Sequence, residues 1–242
     1  MSAPERLARL IRESGPAVVL TGAGISVPSG IPDFRTPMTG LWENVDPMEV
    51  AHISVWRRDP ERFWSFYGRR FALLDGKQPN AAHLAVAELE RRGLVSAVIT
   101  QNIDGLHAAA GSRDPIEVHG SIRTSSCLSC GASYSLAETR ARGELPRCDC
   151  GAVLKPDVVL FGEMLPERAM LRATALAASA GLLLAIGSSL EVWPVAELPA
   201  DTLRAGGKLA IVTMGPTPYD REAAVKLTGD VEQELQAVLA AL

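Results

Sequence analysis

Short apolar runs that alternate with helical patterns are the feature that most constrains the fold of this 242-residue chain. The runs typical of buried strands lie at 17–20, 97–99, 116–118, 157–161, 182–186 and 208–212. The helical patterns lie at about 81–92, 167–179 and 195–204, with a last helix after Asp230. Because strands and helices alternate, we predict an α/β fold in which helices cover both faces of a parallel sheet.

Two segments interrupt this alternation. The first, at about 37–79, is rich in Trp, Phe and Arg and has a helical pattern without a clear strand. The second, at about 121–155, contains all four cysteines. We therefore expect a single domain over 1–242, with a large part at about 1–36, 80–120 and 156–242 and a small module built from the two interrupting segments.

Composition argues against several classes of protein. The formal net charge of −4, from 24 basic and 28 acidic residues, argues against bulk affinity for nucleic acid or anionic membranes. No apolar stretch approaches the roughly 20 residues that a membrane-spanning helix needs. The N-terminal segment lacks the apolar core of a signal peptide, and Ser2 with Glu5 predicts a capping box. We expect a cytoplasmic protein in a reducing compartment, with no membrane partner and no direct nucleic-acid binding.

Two glycine-containing turns follow predicted strands. Gly22 and Gly24 come directly after the first strand, and Gly187 with Ser188 and Ser189 comes after a later one. Glycines at such turns let backbone N–H groups approach a pyrophosphate. The third glycine of the usual dinucleotide pattern is missing, so an ordinary tight turn remains an alternative for the first loop alone. The presence of two such loops favours a dinucleotide site.

The four cysteines have the spacing of metal ligands. Cys127 and Cys130 are separated by two residues, seventeen residues follow, and Cys148 and Cys150 are separated by one. Two close pairs of thiolates predict one tetrahedral zinc site. Four sulfur ligands leave no open coordination position, so we expect a structural ion.

A candidate base lies in a second polar cluster. Residues 100–104 (Thr-Gln-Asn-Ile-Asp) and 117–120 (Glu-Val-His-Gly) both follow predicted strands, where ligands bind in open α/β sheets. His119 ends a strand, and its imidazole can accept a proton near neutral pH. The other histidines, His52, His83 and His107, are interpreted as core or surface residues.

With these residues in view, the chain resembles the sirtuins, the NAD-dependent protein-lysine deacylases. The resemblance extends over nearly the whole chain. It rests on the two cysteine pairs and on the segments 22–26, 30–35, 100–104, 119–120, 158–163, 187–190 and 194–199. It implies a large Rossmann-type domain with a small zinc-ribbon and helical module, and a cleft between them where NAD and an acyl-lysine peptide meet.

The resemblance also implies a set of binding residues. The co-substrate NAD would be bound by Gly22, Ala23, Gly24, Ser26, Asp33, Phe34, Arg35, Gln101, Asn102, Ile103, Asp104, His119, Gly187, Ser188, Ser189, Thr213, Met214, Asp230 and Val231. The acyl-lysine protein or peptide would lie as an added strand beside Val159, Phe161, Gly162, Glu163 and Val192.

The implied reaction begins when nicotinamide leaves and the acyl oxygen attacks the ribose C1′, giving an alkylimidate. His119 then acts as general base on the ribose hydroxyls, and the 2′-oxygen attacks the imidate carbon. Asn102 and Asp104, with Ile103, would order the nicotinamide ribose and carboxamide. The products would be free lysine, nicotinamide and O-acyl-ADP-ribose.

The chain departs from the family at Thr213, where sirtuins usually carry an Asn that holds the adenosine ribose. A hydroxyl lacks the separate donors and acceptor of an amide. We predict that Thr213→Asn binds NAD more tightly than the wild type, and equal dissociation constants would contradict this prediction.

Alternatives to simple deacetylation remain open. Tyr67 and Arg70 have the spacing by which desuccinylating sirtuins hold an acidic acyl chain, although a packed aromatic-basic helix explains the same pattern. Mono-ADP-ribosyl transfer would use the same NAD pocket. A catalytically silent NAD-sensing module is the alternative that involves no reaction.

Overall fold

The structure, a computed structural model, describes residues 1–33, 46–74 and 76–242. The strands in these residues are β1 (Ala17–Thr21), β2 (Val95–Thr100), β3 (Ile116–Glu117), β4 (Gly120–Ser126), β5 (Ser133–Ser135), β6 (Lys155–Val158), β7 (Leu182–Ile186), β8 (Lys208–Val212) and β9 (Val225–Leu227). Six of them form a parallel sheet in the order β3-β2-β1-β7-β8-β9.

The helices in the same ranges are α1 (Ala3–Glu13), α2 (Pro47–Val50), α3 (Ile53–Arg58), α4 (Pro60–Leu74), α5 (Ala81–Arg91), α6 (Leu106–Ala109), α7 (Leu136–Ala141), α8 (Glu167–Ser179), α9 (Leu198–Arg204) and α10 (Val231–Ala240). Short 3-10 turns at Ala23–Ser29 and Val195–Glu197 follow the loops after β1 and β7. The predicted capping box is confirmed, since Ser2 and Glu5 bond reciprocally at the start of α1. Within the described part of the chain, no helix has the length and apolar character needed to cross a bilayer.

Alternate residues of the central strands face two separate cores, as a parallel sheet covered on both sides requires. Val19 and Leu184 pack into the core that includes residues of α1, α5 and α10. Leu20 and Leu183 pack into the opposite core, which includes residues of α8 and α9. The predicted α/β sheet with helices on both faces is therefore confirmed.

The strand order places a crevice at one position in the sheet. Taken in chain order, the six parallel strands are arranged 3-2-1-4-5-6, which is the order of dinucleotide-binding Rossmann sheets. The strand order reverses between β1 and β7, so the chain continues from these two neighbouring strands in opposite directions along the sheet. Ligands of such sheets bind outside the carboxyl ends of the strands at this reversal.

One strand lies elsewhere than the sequence pattern suggests. The apolar run at 157–161 was expected in the parallel sheet, but β6 pairs antiparallel with β4 in a second sheet of order β5-β4-β6. A short apolar run shows that a strand is buried and leaves its partner undetermined. The three-residue strand β9 was also missed, because so short a strand carries little periodicity.

Candidate functional site

The two glycine loops interlock at the carboxyl edge of the parallel sheet. Gly24 donates its N–H to the Gly187 carbonyl at 2.8 Å, and the Gly187 N–H reaches the Val212 carbonyl of β8 at 2.8 Å. A Cβ on Gly22 or Gly24 would lie only 2.8 Å from Gly187 atoms. Gly187 has a φ of +62°, and a Cβ there would lie 2.2 Å from the Ile25 nitrogen. Contact between the loops therefore requires glycine at these positions, a role that the sequence does not reveal.

A side-chain hydrogen bond also joins the residues that follow β2 and β7. The Gln101 side chain donates from Nε2 to Ser188 Oγ at 2.9 Å. Ser188 Oγ also accepts the Leu190 N–H at 3.2 Å. Two residues that the sequence assigned to the same ligand are thus brought into direct contact from positions 87 residues apart.

Ser26 connects the two predicted polar residues of the β2 loop. Its hydroxyl donates to Asp104 Oδ2 at 2.7 Å and accepts from Asn102 Nδ2 at 3.1 Å. Asn102 Nδ2 also donates to the Gly22 carbonyl at 3.1 Å, and Asn102 is buried. These hydrogen bonds therefore define the orientations of the amide and the carboxylate.

His119 is oriented by a backbone carbonyl. Its Nδ1 lies 3.0 Å from the Gln101 carbonyl oxygen, which can only accept, so Nδ1 carries the hydrogen and Nε2 has the free lone pair. Burial lowers the pKa of His119 below its usual value, although the Gln101 carbonyl opposes this shift. The imidazole is therefore neutral at pH 7, which is the state of a general base.

Buried hydroxyls and imidazoles pack next to these groups, and the sequence analysis assigned no role to the two threonines among them. Thr21 at the end of β1 donates to Thr100 Oγ1 at 2.8 Å and so accepts from His107 Nε2 at 2.9 Å. Burial lowers the pKa of His107 to about 3 and also lowers the pKa of the adjacent His83. Both rings lie in the interior, as interpreted from the sequence. His52 instead caps α3.

The remaining residues assigned to NAD follow the ends of the outer strands. Thr213 and Met214 come after β8, and Asp230 and Val231 come after β9 at the start of α10. Met214 is 69% exposed, whereas the Asp230 carboxylate accepts two N–H groups of α10. Asp33 ends the first described range. Phe34 and Arg35 lie outside the described residues, as does the Arg70 side chain.

The segment assigned to the peptide is bonded to a residue between β3 and β4 and to the connection between α2 and α3. Val159 donates its N–H to the His119 carbonyl at 2.9 Å, and Phe161 exchanges backbone hydrogen bonds with Ala51 and Ile53. The Glu163 carboxylate accepts the Leu160 N–H at 2.9 Å and forms an ion pair with Lys155 Nζ at 2.9 Å. Sequence reasoning did not identify the buried Lys155. The feature of the sequence that could have identified Lys155 is a charged residue at the start of an apolar run.

Tyr67 belongs to the apolar cluster below this segment. Its ring stacks on Phe63 with centroids 4.7 Å apart, and the cluster also contains Val158, Leu160 and the partly buried Ile103. α4 therefore places Tyr67 next to residues that neighbour the candidate site, and the backbone of Arg70 lies three positions further along the same helix.

The four cysteines converge at one end of the small sheet. Their sulfur atoms all lie within 4.8 Å of one another, with Cys127–Cys150 and Cys130–Cys148 contacts of 3.5 Å. Tetrahedral zinc with Zn–S bonds of about 2.3 Å needs sulfur atoms roughly 3.8 Å apart. The cluster could therefore hold one zinc ion.

The protonation of the thiols also fits a cation. The Cys150 N–H and other donors lower the pKa of Cys148 to about 6. At Cys130 the Ala132 N–H acts in the same direction, but the neighbouring sulfurs outweigh it and raise the pKa to about 12. Four sulfurs this close cannot all be thiolates unless a positive charge lies among them, and a divalent ion supplies that charge.

Known proteins resemble this chain along most of its length. An NAD-dependent protein deacetylase of Sulfolobus acidocaldarius is 47% identical over 239 residues, covering 97% of this chain and 93% of the relative. An NAD-dependent protein deacylase of Archaeoglobus fulgidus is 46% identical, covering 97% and 94%. A structure described as Sir2 with a p53 peptide and NAD+ superposes with a TM-score of 0.91 at 42% identity, covering 99% of this chain and 98% of that one.

The sequence profile of the Sir2 family matches residues 22–194, which include both glycine loops, His119 and the four cysteines. Together with the strand order and the near-complete coverage of these relatives, this match shows that the chain belongs to the Sir2 family.

Proposed function

We propose that this protein is an NAD-dependent protein-lysine deacylase, which converts NAD and an acyl-lysine peptide into nicotinamide, O-acyl-ADP-ribose and free lysine. The observation that carries the proposal is the oriented, neutral His119, bonded to the backbone of Gln101 in the loop that also holds Asn102 and Asp104. The names of the relatives and the NAD+ and peptide in a Sir2 structure support the same activity.

In this proposal His119 accepts a proton from a ribose hydroxyl at Nε2. The Gln101 carbonyl holds the opposite nitrogen, so the ring keeps one tautomer while the base acts. As the imidazole becomes positively charged, the same carbonyl stabilises the Nδ1–H dipole. Removal of a general base typically lowers the rate by about 10²–10⁴.

Ser26 is proposed to orient the groups that meet the nicotinamide riboside. It bonds both Asn102 and Asp104, so the amide and the carboxylate keep a fixed separation. Binding then needs little further ordering of these side chains, which favours a correctly placed ribose.

The peptide is proposed to add as a strand along the segment from Val159 to Glu163. The N–H groups of Val159, Phe161 and Glu163 already bond within the chain. The Gly162 N–H has no hydrogen-bond partner among the described residues, so it is the donor of this segment that we expect to bond the peptide. Selectivity from main-chain pairing alone would be modest.

The experiment that tests the function is NAD-dependent turnover of an acetyl-lysine peptide, with His119→Ala as the matched variant. We expect nicotinamide and O-acetyl-ADP-ribose in equal amounts from the wild type. The variant should still bind NAD but form O-acetyl-ADP-ribose about 10²–10⁴-fold more slowly. Nicotinamide release without any peptide would indicate transfer of ADP-ribose to another acceptor. NAD binding without turnover by the wild type would indicate a sensor.

A preference for acidic acyl groups is a second candidate, favoured by the place of Tyr67 in the cluster that contains Leu160 and Ile103. Tyr67→Phe and Arg70→Met should then lower the ratio of succinyl to acetyl turnover, because a phenol and a guanidinium together bind a carboxylate. An unchanged ratio would reject this preference and leave deacylation intact.

A further inference from the structure

A tyrosine hydroxyl lies against one sulfur of the cysteine cluster. Tyr134 Oη is 3.2 Å from Cys148 Sγ and 3.3 Å from Asp149 Oδ2, and it accepts the Asp149 N–H at 3.3 Å. A hydroxyl has only one hydrogen to donate. The contact with the carboxylate is long for an O–H···O bond, which is usually about 2.5–3.0 Å, whereas 3.2 Å is short for a sulfur acceptor. The hydrogen is therefore directed to Cys148.

Arg142 holds this tyrosine in place. Its guanidinium lies 4.2 Å from the centre of the Tyr134 ring, within the range of a cation–π contact. The same side chain donates to Asp149 Oδ1 at 2.8 Å and to the Arg147 carbonyl at 2.8 Å. Because Asp149 is paired with Arg142, the carboxylate competes less for the tyrosine hydrogen.

The arrangement depends on the short spacing of the second cysteine pair. Asp149 is the only residue between Cys148 and Cys150, so it must follow the tight turn that brings both sulfurs to the cluster. Tyr134 comes from β5, where it pairs with Ser125 of β4, and Arg142 directly follows α7. Tyr134 from one segment therefore contacts the Cys148 sulfur of a second, and Arg142 from a third segment contacts Tyr134 and Asp149.

We infer that Tyr134 is a positioning residue of the zinc centre, which donates a hydrogen bond to the Cys148 thiolate and so determines how long the ion is retained. The inference rests on zinc occupying the cysteine cluster. Hydrogen bonds to a ligand atom fix its direction and spread its charge, and their loss typically lowers metal affinity about 10–100-fold. Arg142 and Asp149 act through Tyr134.

The test is zinc release from the full chain to an excess of the chromogenic chelator 4-(2-pyridylazo)resorcinol. Tyr134→Phe removes the hydroxyl and keeps the ring beneath Arg142, so we expect release at least about tenfold faster than in the wild type. Arg142→Met should give a smaller increase. The matched control is Tyr219→Phe, which removes a hydroxyl that donates to the Ala196 carbonyl at 2.7 Å in the large part of the molecule. It should release zinc at the wild-type rate.

A second measurement separates positioning from a general loss of structure. Alkylation by iodoacetamide, followed by mass spectrometry of each cysteine, should become faster first at Cys148 in Tyr134→Phe. Equal release rates for Tyr134→Phe and Tyr219→Phe, or equally increased alkylation of all four cysteines, would overturn the inference. A wild-type chain that binds no added Zn²⁺ would overturn the zinc centre itself along with it.

Discussion

The central strands β1 and β7 are buried along their whole length. In the small sheet, β4 mixes buried with exposed or partly exposed residues, and β5 has no buried residue. The parallel sheet has an apolar core on each face. The apolar cluster at the cysteine end of the small sheet is small, with Cys127, Cys148 and Leu154 buried and three partly buried neighbours. The polar groups at the carboxyl edge of the parallel sheet are therefore supported by core packing, whereas the cysteine end has little apolar core and a cluster of four sulfurs that could hold a zinc ion.

Zinc removal should show this difference most strongly. Chelation is expected to unfold residues around Cys127 and Cys148 while β1 and β7 keep their amide protection, because structural zinc in small modules contributes roughly 10–16 kcal/mol. Hydrogen exchange followed by mass spectrometry would measure both regions in one sample. Loss of protection in β1 at the same chelator concentration would show that the two parts unfold as one.

Gly187→Ala should have the next largest effect, now in the large part. The added Cβ meets the Ile25 nitrogen and the residue has a positive φ, so we expect the free energy of unfolding to fall by roughly 3 kcal/mol. Gly15 also has a positive φ, but an added Cβ there has no close neighbour. Gly15→Ala should therefore lower the free energy of unfolding by about 1 kcal/mol. Gly215→Ala has neither feature. The free energies of unfolding of the three variants in urea would separate the cost of backbone strain from the cost of the contact between the loops. Equal losses for Gly187→Ala and Gly15→Ala would contradict a cost from the loop contact.

Acid should destabilise the large part through His107. The unfolded imidazole binds a proton below its ordinary pKa of 6.5, whereas the folded one stays neutral down to about pH 3. Between these two pKa values the unfolded state therefore binds more protons than the folded state. Through His107, this lowers the free energy of unfolding at pH 5 by about 2 kcal/mol. His107→Gln keeps a donor for Thr21 and should flatten the dependence of stability on pH between 7 and 5. Parallel pH curves for variant and wild type would count against this.

The smallest effect is expected where the two regions join. Glu163→Gln weakens the ion pair with Lys155 but keeps an acceptor for the Leu160 N–H. We expect the peptide KM to rise about threefold to tenfold with an unchanged KM for NAD, because the change loosens only the peptide segment. Glu88→Gln, which disrupts the two surface ion pairs of Glu88 with Arg91 and Arg92, is the control. A rise in both KM values for Glu163→Gln would indicate a wider disturbance of the site.

Local patterns were sufficient for many elements of the fold. The apolar runs at 17–20, 182–186 and 208–212 are strands because such runs can be buried on both faces only in a covered sheet. The Ser2 capping box acts over three residues and so is readable locally. The run at 157–161 carried the same signal, yet β6 joined the small sheet, because strand pairing depends on distant residues of β4.

The sequence by itself determined the alternation of strands and helices, the chemistry of the cysteine pairs and the family of the chain. These features depend on residue type and on spacing over a few residues, and the local conformational preferences of the chain depend on the same short stretches. Only the tertiary structure decided that Gly187 must contact Gly24, that Ser26 orients Asn102 and Asp104, and that Tyr134 reaches Cys148. The first two contacts join residues far apart in the chain, so they exist only once packing of the two cores has brought the strand ends and loops together. The contact of Tyr134 spans 14 residues and exists only once the small sheet and the cysteine turns have formed.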